Sequence, residues 1–231
     1  MRYNRCIWVS LEKVASAIRE VFMEELEYVL PKDIEKRSME IIDRELRALG
    51  MTLKAENEKV IKRVIHTSAD FEYAHTLKFS QGAVEKAKQL IRNGADIVTD
   101  TNMAMAGINK KKLADYGGEV HCFMADEDVA QEAGRRQITR AAVSMEKSLT
   151  ISKPVIYVIG NAPTALIRLH ELMAERQFVP EFIIGVPVGF VNVVYSKELF
   201  LGSKVPYIIN QGRKGGSNVA AAICNAILYD L

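Results

Sequence analysis

The sequence has no long apolar run, few cysteines and almost no net charge. No stretch of about 18 consecutive apolar residues occurs in the 231 residues, so no membrane span is predicted. The formal net charge of +2 argues against a nucleic-acid-binding protein that relies on a basic surface. The three cysteines, Cys6, Cys122 and Cys224, are far apart and odd in number. We therefore expect buried free thiols in a reducing cytosol.

The N-terminal segment does not read as a signal peptide, because it carries Glu12 and Glu20 and lacks an unbroken apolar stretch. A cytoplasmic protein is expected. The apolar residues from Leu11 to Phe22 are spaced as one face of a helix. We expect residues 1–30 to form an N-terminal helical extension packed on the core, and residues 31–231 to form the main domain.

Beyond Pro31, predicted strands alternate with predicted helices. The strands are "VIKRVIH" (60–66), "ADIVTD" (95–100), "EVHCFMAD" (119–126), "PVIYVIGN" (154–161), "FIIGVPV" (182–188) and "VPYIIN" (205–210). Helices are predicted over 33–49, 82–94, 126–149, 163–176 and 216–231, with a possible break at Gly134 in the third. Strands that read as continuous apolar runs are typical of an α/β fold with a mostly parallel sheet covered on both faces.

In sheets of this kind, ligands bind beyond the carboxyl ends of the strands. Five polar or glycine-rich stretches come directly after predicted strands. They are "HTSAD" (66–70), "TDTNM" (99–103), "GNAPT" (160–164), "GVPVGF" (185–190) and "NQGRKGGSN" (210–218). The sequence therefore predicts a binding site at this edge of the sheet.

His66 is the candidate for proton transfer, because an imidazole with an unperturbed pKa of about 6.5 changes charge near neutral pH. Thr67, Ser68 and Asp70 follow it within four residues. A structural histidine at the end of a strand is the alternative, and the residues alone do not decide between the two. The other three histidines lack metal-ligand spacing with His66, so no metal site is predicted.

Three of the polar stretches have both a binding and a structural interpretation. In "GRKGGSN", glycines around Arg213 and Lys214 precede a helix, which suits a phosphate or carboxylate; a solvated basic turn is equally consistent. In "GNAPT", free amides around Asn161 favour an anion, although ordinary helix capping is the stronger interpretation. In "TDTNM", a helix cap from Thr101 or Asn102 is at least as consistent as ligand binding.

Six segments, taken in order, resemble the precorrin-8X methylmutase family of cobalamin biosynthesis. They are "PKDIEKRSMEIIDREL", "RVIHTSADFEYAHTLKFS", "GADIVTDTNMAMAGI", "VIGNAPTALIRLHEL", "IIGVPVGFVNVVYSKELF" and "GRKGGSNVAAAICNAI". The resemblance implies a flavodoxin-like, three-layer α/β/α fold and a homodimer with sites near the subunit interface. It also implies no separate cofactor; any cobalt arrives within the substrate.

The reaction that the resemblance implies is an isomerisation. A methyl group moves from C-11 to C-12 of precorrin-8X or cobalt-precorrin-8, giving hydrogenobyrinate or cobyrinate. The family's catalytic histidine maps to His66, whose tautomer Asp70 or a nearby hydroxyl is suited to fix. The tetrapyrrole carries carboxylates that arginine binds well. The candidate substrate-binding residues are Arg37, Arg63, Thr67, Ser68, Asp70, Thr101, Arg140, Asn161, Arg213, Lys214 and Ser217.

One segment departs from the family pattern. "VNVVYSKE" carries Asn192 and Tyr195 where small residues and a glutamate are expected. Two other functions therefore stay open at this point. The first is a corrinoid-binding relative on the same fold with altered specificity or no turnover. The second is an enzyme for a phosphorylated or nucleotide substrate held at "GRKGGSN" and "GNAPT".

Overall fold

The structure, a computed structural model, describes residues 26–176 and 178–231. The helix predicted between Leu11 and Phe22 lies outside these residues, as does Cys6. The chain divides into two compact units, Met1–Ser38 and Met39–Leu231. The described part of the first unit contains a 3-10 turn at Pro31–Asp33. The predicted division at residue 30 stays a prediction.

Six strands and eleven α-helices make up the described regular structure. The strands are β1 (Leu77–Phe79), β2 (Asp96–Thr99), β3 (Val120–His121), β4 (Val155–Ile159), β5 (Phe182–Gly185) and β6 (Tyr207–Asn210). The helices are α1 (Ile34–Ala48), α2 (Glu58–Ser68), α3 (Tyr73–Thr76), α4 (Ala83–Arg92), α5 (Asn102–Gly107), α6 (Lys110–Ala114), α7 (Glu127–Arg136), α8 (Arg140–Ser148), α9 (Pro163–Arg176), α10 (Val193–Glu198) and α11 (Ser217–Leu228). Within the described part of the chain, no helix is long and apolar enough to cross a bilayer.

The six strands form one sheet in the order β1-β6-β5-β4-β2-β3. Every neighbouring pair is parallel except β1 with β6. The five parallel strands, read as β3-β2-β4-β5-β6, follow the 2-1-3-4-5 order of flavodoxin-like sheets. The predicted mostly parallel α/β fold is confirmed.

Alternation along the strands divides the core into two layers. In β4, Ile156 and Val158 belong to a cluster with residues of α2, α4 and α11, whereas Tyr157 and Ile159 belong to a second cluster with α8 and α9. Successive side chains of a strand point to opposite faces, so both faces of the sheet are covered by helices. This is the predicted three-layer α/β/α arrangement.

The prediction of a strand at 60–66 is wrong, because these residues lie in α2. Val60, Ile61, Val64 and Ile65 are buried, and their spacing of one, three and four residues lines one helical face. The intervening residues are charged and point away from the core. β-Branched residues raise the strand propensity of the segment, but packing on one face overrides that weak preference.

Three other predicted elements differ from the observed ones. "EVHCFMAD" contains only the two-residue strand β3, followed by a 3-10 turn at Phe123–Ala125. The helix predicted over 126–149 is two helices, and the break falls at Gln137 (φ 52°), not at Gly134. β1 is absent from the predicted strands; it is short and lies antiparallel at the edge of the sheet. Cys224 is buried as expected, while Cys122 is half-buried.

The last helix, α11, is buried on nearly every side and rich in alanine. It packs against α2, α4 and α5. The approach to the end of β4 is close: a Cβ on Gly160 would lie 2.8 Å from Ser217 Cα and 3.0 Å from Ser217 N. Glycine at position 160 thus lets the start of α11 reach the carboxyl edge of the sheet.

Gly160→Ala should destabilise the protein by about 1–3 kcal/mol, because the added methyl group meets backbone atoms that have little room to shift. Gly134→Ala is the matched control. That glycine lies in α7, and a Cβ added there would have no atom within 4 Å, so alanine should stabilise the helix by about 0.5–1 kcal/mol. Urea unfolding of both variants measures the difference. Equal stability of the Gly160 variant and wild type would contradict this close approach.

Candidate active site

The carboxyl ends of β2, β4, β5 and β6 meet at one edge of the sheet because these strands are parallel. β1 runs the other way, so its first residue, Leu77, pairs with the last residue of β6, Asn210. The segment between α2 and β1 therefore reaches the same edge. Four of the five predicted polar stretches follow strands there, and "HTSAD" arrives at the end of a helix instead.

His66 lies in the last turn of α2, and its side chain is exposed. α2 packs along α11 in the antiparallel sense. Lys59 at the start of α2 pairs with Asp230 just after α11. At the opposite end, Asp70 pairs with Lys214, three residues before α11, at 2.5 Å. His66 is therefore delivered to the carboxyl edge by a helix, although the strand predicted to carry it does not exist.

The residues after His66 form a hydrogen-bonded turn. Ser68 Oγ donates to the carbonyl oxygen of Val64 at 2.8 Å and accepts from the amide of Asp70 at 3.3 Å. Asp70 accepts from the amide of Glu72 at 2.9 Å, and Lys214 holds the pKa of the Asp70 carboxyl below the usual range. The Asp70 carboxylate is thus engaged by Lys214 and a backbone amide. Among the described residues, no hydrogen bond joins this carboxylate to the imidazole of His66, so selection of the His66 tautomer by Asp70 stays a prediction.

The turn "GRKGG" separates its two cations. The guanidinium of Arg213 lies over the ring of Phe190, with its Cζ 5.4 Å from the ring centroid, and the side chain is exposed. Lys214 instead pairs with Asp70 and with Glu72, the latter at 2.6 Å, and these carboxylates raise the pKa of the lysine. Arg213 makes no ion pair among the described residues, whereas Lys214 ties the turn to the segment after His66.

Beneath this turn lies a buried lysine that the sequence analysis does not single out. The Nζ of Lys197, on α10, donates to the carbonyl oxygens of Gly212 at 2.7 Å and Lys214 at 2.8 Å. Asn210 Nδ2 donates to the same Lys214 carbonyl at 2.7 Å. Lys197 is only 1% exposed, and burial lowers its pKa to about 8. A lysine within "VYSKE" carries no sequence signal of this role.

The amides of "GNAPT" are occupied by a side chain of the protein itself. Asp100, which is fully buried, accepts hydrogen bonds from the amides of Gly160, Asn161 and Ala162 at 2.8, 2.8 and 2.5 Å. Burial raises the pKa of the Asp100 carboxyl, and the three amide donors act in the opposite direction. The amides before α9 are therefore occupied by Asp100 and are not available to a ligand. This removes one of the two anion sites on which the hypothesis of a phosphorylated substrate depends.

Thr101 and Ser217 join the end of β2 to the start of α11. Thr101 Oγ1 accepts from the amide of Ala104 at 3.1 Å, so the predicted helix cap is confirmed. The same hydroxyl makes a 2.8 Å hydrogen bond with Ser217 Oγ. Ser217 is buried, so this pair closes the crevice between β2 and β4, where the order of the parallel strands reverses. A ligand is therefore expected on top of this edge and not inside the crevice.

The remaining predicted cations lie at different places. Arg63 is half-buried on α2, three residues before His66 and thus on the same side of that helix. Arg140 is exposed at the start of α8, which a 2.8 Å bond between Thr139 Oγ1 and Thr164 Oγ1 fixes beside the start of α9. Arg37 belongs to the N-terminal unit, where its Nε pairs with Glu27 at 2.6 Å. Thr67, which follows His66 in sequence, is exposed. Asn161, which follows β4, is also exposed.

Large apolar side chains surround this edge with unusual exposure. Phe190 and Val191 follow β5 and are 81% and 79% exposed, and Met103 follows β2 and is 71% exposed. Val188 and Tyr195 are also exposed. We call these five residues the apolar rim. Exposed apolar surface next to cations suits a large ring with acidic substituents, or a second protein surface.

The comparisons with known proteins converge on one family. A family model described as "Precorrin-8X methylmutase" matches residues 33–230. The chain is 43% identical over 205 residues to the cobalt-precorrin-8 methylmutase of Salmonella typhimurium, and the match covers 87% of this chain and 96% of that protein. It is 42% identical over 199 residues to the cobalt-precorrin-8 methylmutase of Priestia megaterium, covering 86% and 88% of the two chains.

A solved structure is similar over the same region. The structure described as a precorrin-8x methyl mutase from Thermus thermophilus superposes with a TM-score of 0.76 at 34% sequence identity. The match covers 85% of this chain and 96% of that one. Fold and sequence thus agree on the same relatives, and the residues before position 33 lie outside the family match.

Because burial lowers the pKa of Lys197, we expect the free energy of unfolding to depend on pH. Because its folded pKa is about 8 and the ordinary pKa of a lysine is 10.5, the unfolded chain holds this proton between those pH values and the folded protein does not. The free energy of unfolding should therefore rise with pH in this window, by about 2 kcal/mol between roughly pH 7.5 and 10 relative to Lys197→Met. Urea unfolding of both proteins measures this, and a lysine ¹³Cε NMR signal titrating near pH 8 identifies the group. A pH-independent difference would contradict the titration of a buried Lys197.

Proposed function

The chain belongs to the precorrin-8X methylmutase family, and on that premise we propose how its own residues carry the reaction. Its function is that of an isomerase in cobalamin biosynthesis, which moves a methyl group from C-11 to C-12 of the corrin-forming ring. The product is hydrogenobyrinate or, from the cobalt-containing substrate, cobyrinate. The protein's task is to hold the macrocycle and shift its electron density, because the reaction needs neither a nucleophile nor water.

His66 is the proposed proton donor to the ring. The observation that carries this assignment is its exposed position at the end of α2, where the ion pair between Asp70 and Lys214 joins that helix to the glycine-rich turn. An exposed imidazole at the edge of the sheet is accessible to a large ligand. One positioned acid of suitable pKa contributes about 10²–10⁴-fold to a rate, which is a substantial share for a single side chain.

The carboxylates of the tetrapyrrole are proposed to meet cations around His66. Arg213 is exposed in the glycine-rich turn, Arg63 lies on the same side of α2 as His66, and Arg140 stands at the start of α8. Guanidinium groups make bidentate contacts with carboxylates, which fixes orientation as well as affinity. The roles of Arg37, Thr67, Ser68, Asn161 and the other predicted contact residues stay proposals of the same kind.

The apolar rim is proposed to contact the face of the macrocycle. Phe190 is suited to this role because its flat ring is largely exposed and is flanked by the guanidinium of Arg213. Aromatic surfaces contribute large contact areas with few rotatable bonds. Cobalt, where present, enters as part of the substrate. The cobalt-precorrin-8 methylmutases at 42% and 43% identity, compared with 37% for a precorrin-8X methylmutase of Pseudomonas aeruginosa, favour the cobalt-containing form.

The departures at Asn192 and Tyr195 do not require loss of turnover. Asn192 has φ 57° at the start of α10, a left-handed conformation that asparagine adopts more readily than most residues. Its presence therefore has a backbone explanation. Tyr195 is an exposed member of the apolar rim. The non-catalytic alternative is not favoured, because the relatives named as methylmutases match over most of their length.

We also propose that the protein is a cytoplasmic homodimer with two-fold symmetry. The support is the family resemblance, the open site and the exposure of the apolar rim, which a second subunit would cover in part. Sedimentation at micromolar concentration should give twice the 25.9 kDa mass of one chain. A monomer under these conditions would contradict the proposal.

His66→Ala should fold and should still bind the corrinoid product, because the side chain is exposed and other groups carry the affinity. Its single-turnover rate with precorrin-8 should fall by about 10²–10⁴-fold. Absorption spectroscopy follows the conversion, and a melting curve on the same preparation reports folding.

His170→Ala is the matched control. His170 is also exposed, but it lies on α9 with its ring edge against Phe200, at 5.9 Å between centroids. Its removal should leave turnover nearly intact. Full activity of a folded His66→Ala protein would overturn the assignment of His66 as the proton donor.

A further inference from the structure

Lys197 holds the backbone on both sides of Arg213. Its Nζ donates to the carbonyl oxygen of the residue before, Gly212, at 2.7 Å and of the residue after, Lys214, at 2.8 Å. The carbonyl of Arg213 itself accepts from the amide of Gly189 at 3.2 Å. Three consecutive carbonyl groups of the turn are therefore fixed from the protein side, which leaves the Arg213 side chain directed outward.

Keeping an ammonium group at this depth is energetically costly. Removing one ion from water costs several kcal/mol in a protein even after relaxation, and Lys197 is 1% exposed. Both hydrogen bonds that the structure gives it go to the turn. No ion pair between Lys197 and a carboxylate occurs among residues 26–176 and 178–231 that would offset the cost. The contribution of the Lys197 ammonium group is thus to fix the conformation of the turn.

The turn needs such an external support because of its own composition. Gly212, Gly215 and Gly216 have φ values of 82°, 157° and 135°, and a Cβ on Gly215 would lie 2.0 Å from the carbonyl oxygen of Val186. Glycine is therefore required at position 215. Glycines leave a free chain with many accessible conformations, so the turn is not rigid by itself.

We propose that Lys197 is a positioning residue that fixes the glycine-rich turn and thereby holds Arg213 ready to bind a carboxylate of the tetrapyrrole substrate. This inference rests on the proposed function. Lys197 is too deeply buried to touch the substrate, so it acts through Arg213. A guanidinium that is held in place before binding loses less conformational freedom when the ligand arrives.

A double-mutant cycle tests the inference, with Lys197→Met, Arg213→Ala and the double variant. Each single change should raise the Kd for the corrinoid product by about 10- to 100-fold, with a matching rise in KM and little change in kcat. The double variant should bind no more weakly than Arg213→Ala alone, because Lys197 acts only through that residue. Lys111→Ala, an exposed lysine on α6, is the control and should leave Kd unchanged. Independent, multiplicative effects of the two changes would overturn the inference.

A second measurement does not depend on turnover. Hydrogen exchange near neutral pH should become faster in the peptide covering residues 211–216 of Lys197→Met, while the peptides of β4 and β5 keep their protection. Unchanged exchange in the turn would refute the positioning role. If Lys197→Met does not fold, Lys197→Gln, which retains an amide donor, takes its place in both experiments and should show a smaller effect.

The two proposals fail in different ways. A wild-type protein that neither binds nor converts the corrinoid refutes the proposed function, and with it the substrate part of this inference; the exchange experiment still decides whether Lys197 holds the turn. A wild-type protein that converts precorrin-8 but shows independent effects in the cycle refutes the inference alone.

Discussion

The packing of α2 against α11 is the contact on which the candidate site depends. α2 has one apolar face, which Val60, Ile61, Val64 and Ile65 bury against the core. Ion pairs at its two ends, between Lys59 and Asp230 and between Asp70 and Lys214, set its antiparallel direction along α11. Exposed ion pairs contribute little stability, so burial holds the helix and the charges select its register. The consequence is that His66 lies at the carboxyl edge of the sheet.

The edge itself is closed by polar groups of the protein. Asp100 accepts hydrogen bonds from the three amides that precede α9. The hydroxyls of Thr101 and Ser217 form a hydrogen bond across the crevice. In many flavodoxin-like folds, this crevice receives the ligand. Here polar side chains of the protein fill it, so we propose that the ligand binds above it, among the apolar rim, His66 and Arg213. A wide surface of this kind fits a macrocycle better than a nucleotide phosphate.

Sequence patterns predict the strands and helices with the clearest periodicity, and they predict that polar stretches follow strands that end at one edge of the sheet. β4 is unambiguous because it is apolar over its whole length, and α11 because it is rich in alanine and follows a glycine-rich turn. The strand prediction fails for α2 because β-branched residues dominate it, and a three-dimensional partner decides such segments. The roles of Lys197 and Asp100 escape sequence patterns for another reason: each acts on backbone groups distant in sequence. A lysine in "VYSKE" is buried only because the turn at 212–214 folds over it.

The proposed function requires the His66 imidazole to contact the tetrapyrrole ring. The most direct measurement is NMR of ¹⁵N-labelled histidine side chains, with and without the corrinoid product. We predict that the two ring-nitrogen signals of His66 shift on binding, because the imidazole gains a hydrogen-bonding partner. The signals of His170 should stay in place. A His66 spectrum unaffected by saturating corrinoid would contradict the role of His66 as the proton donor to the ring.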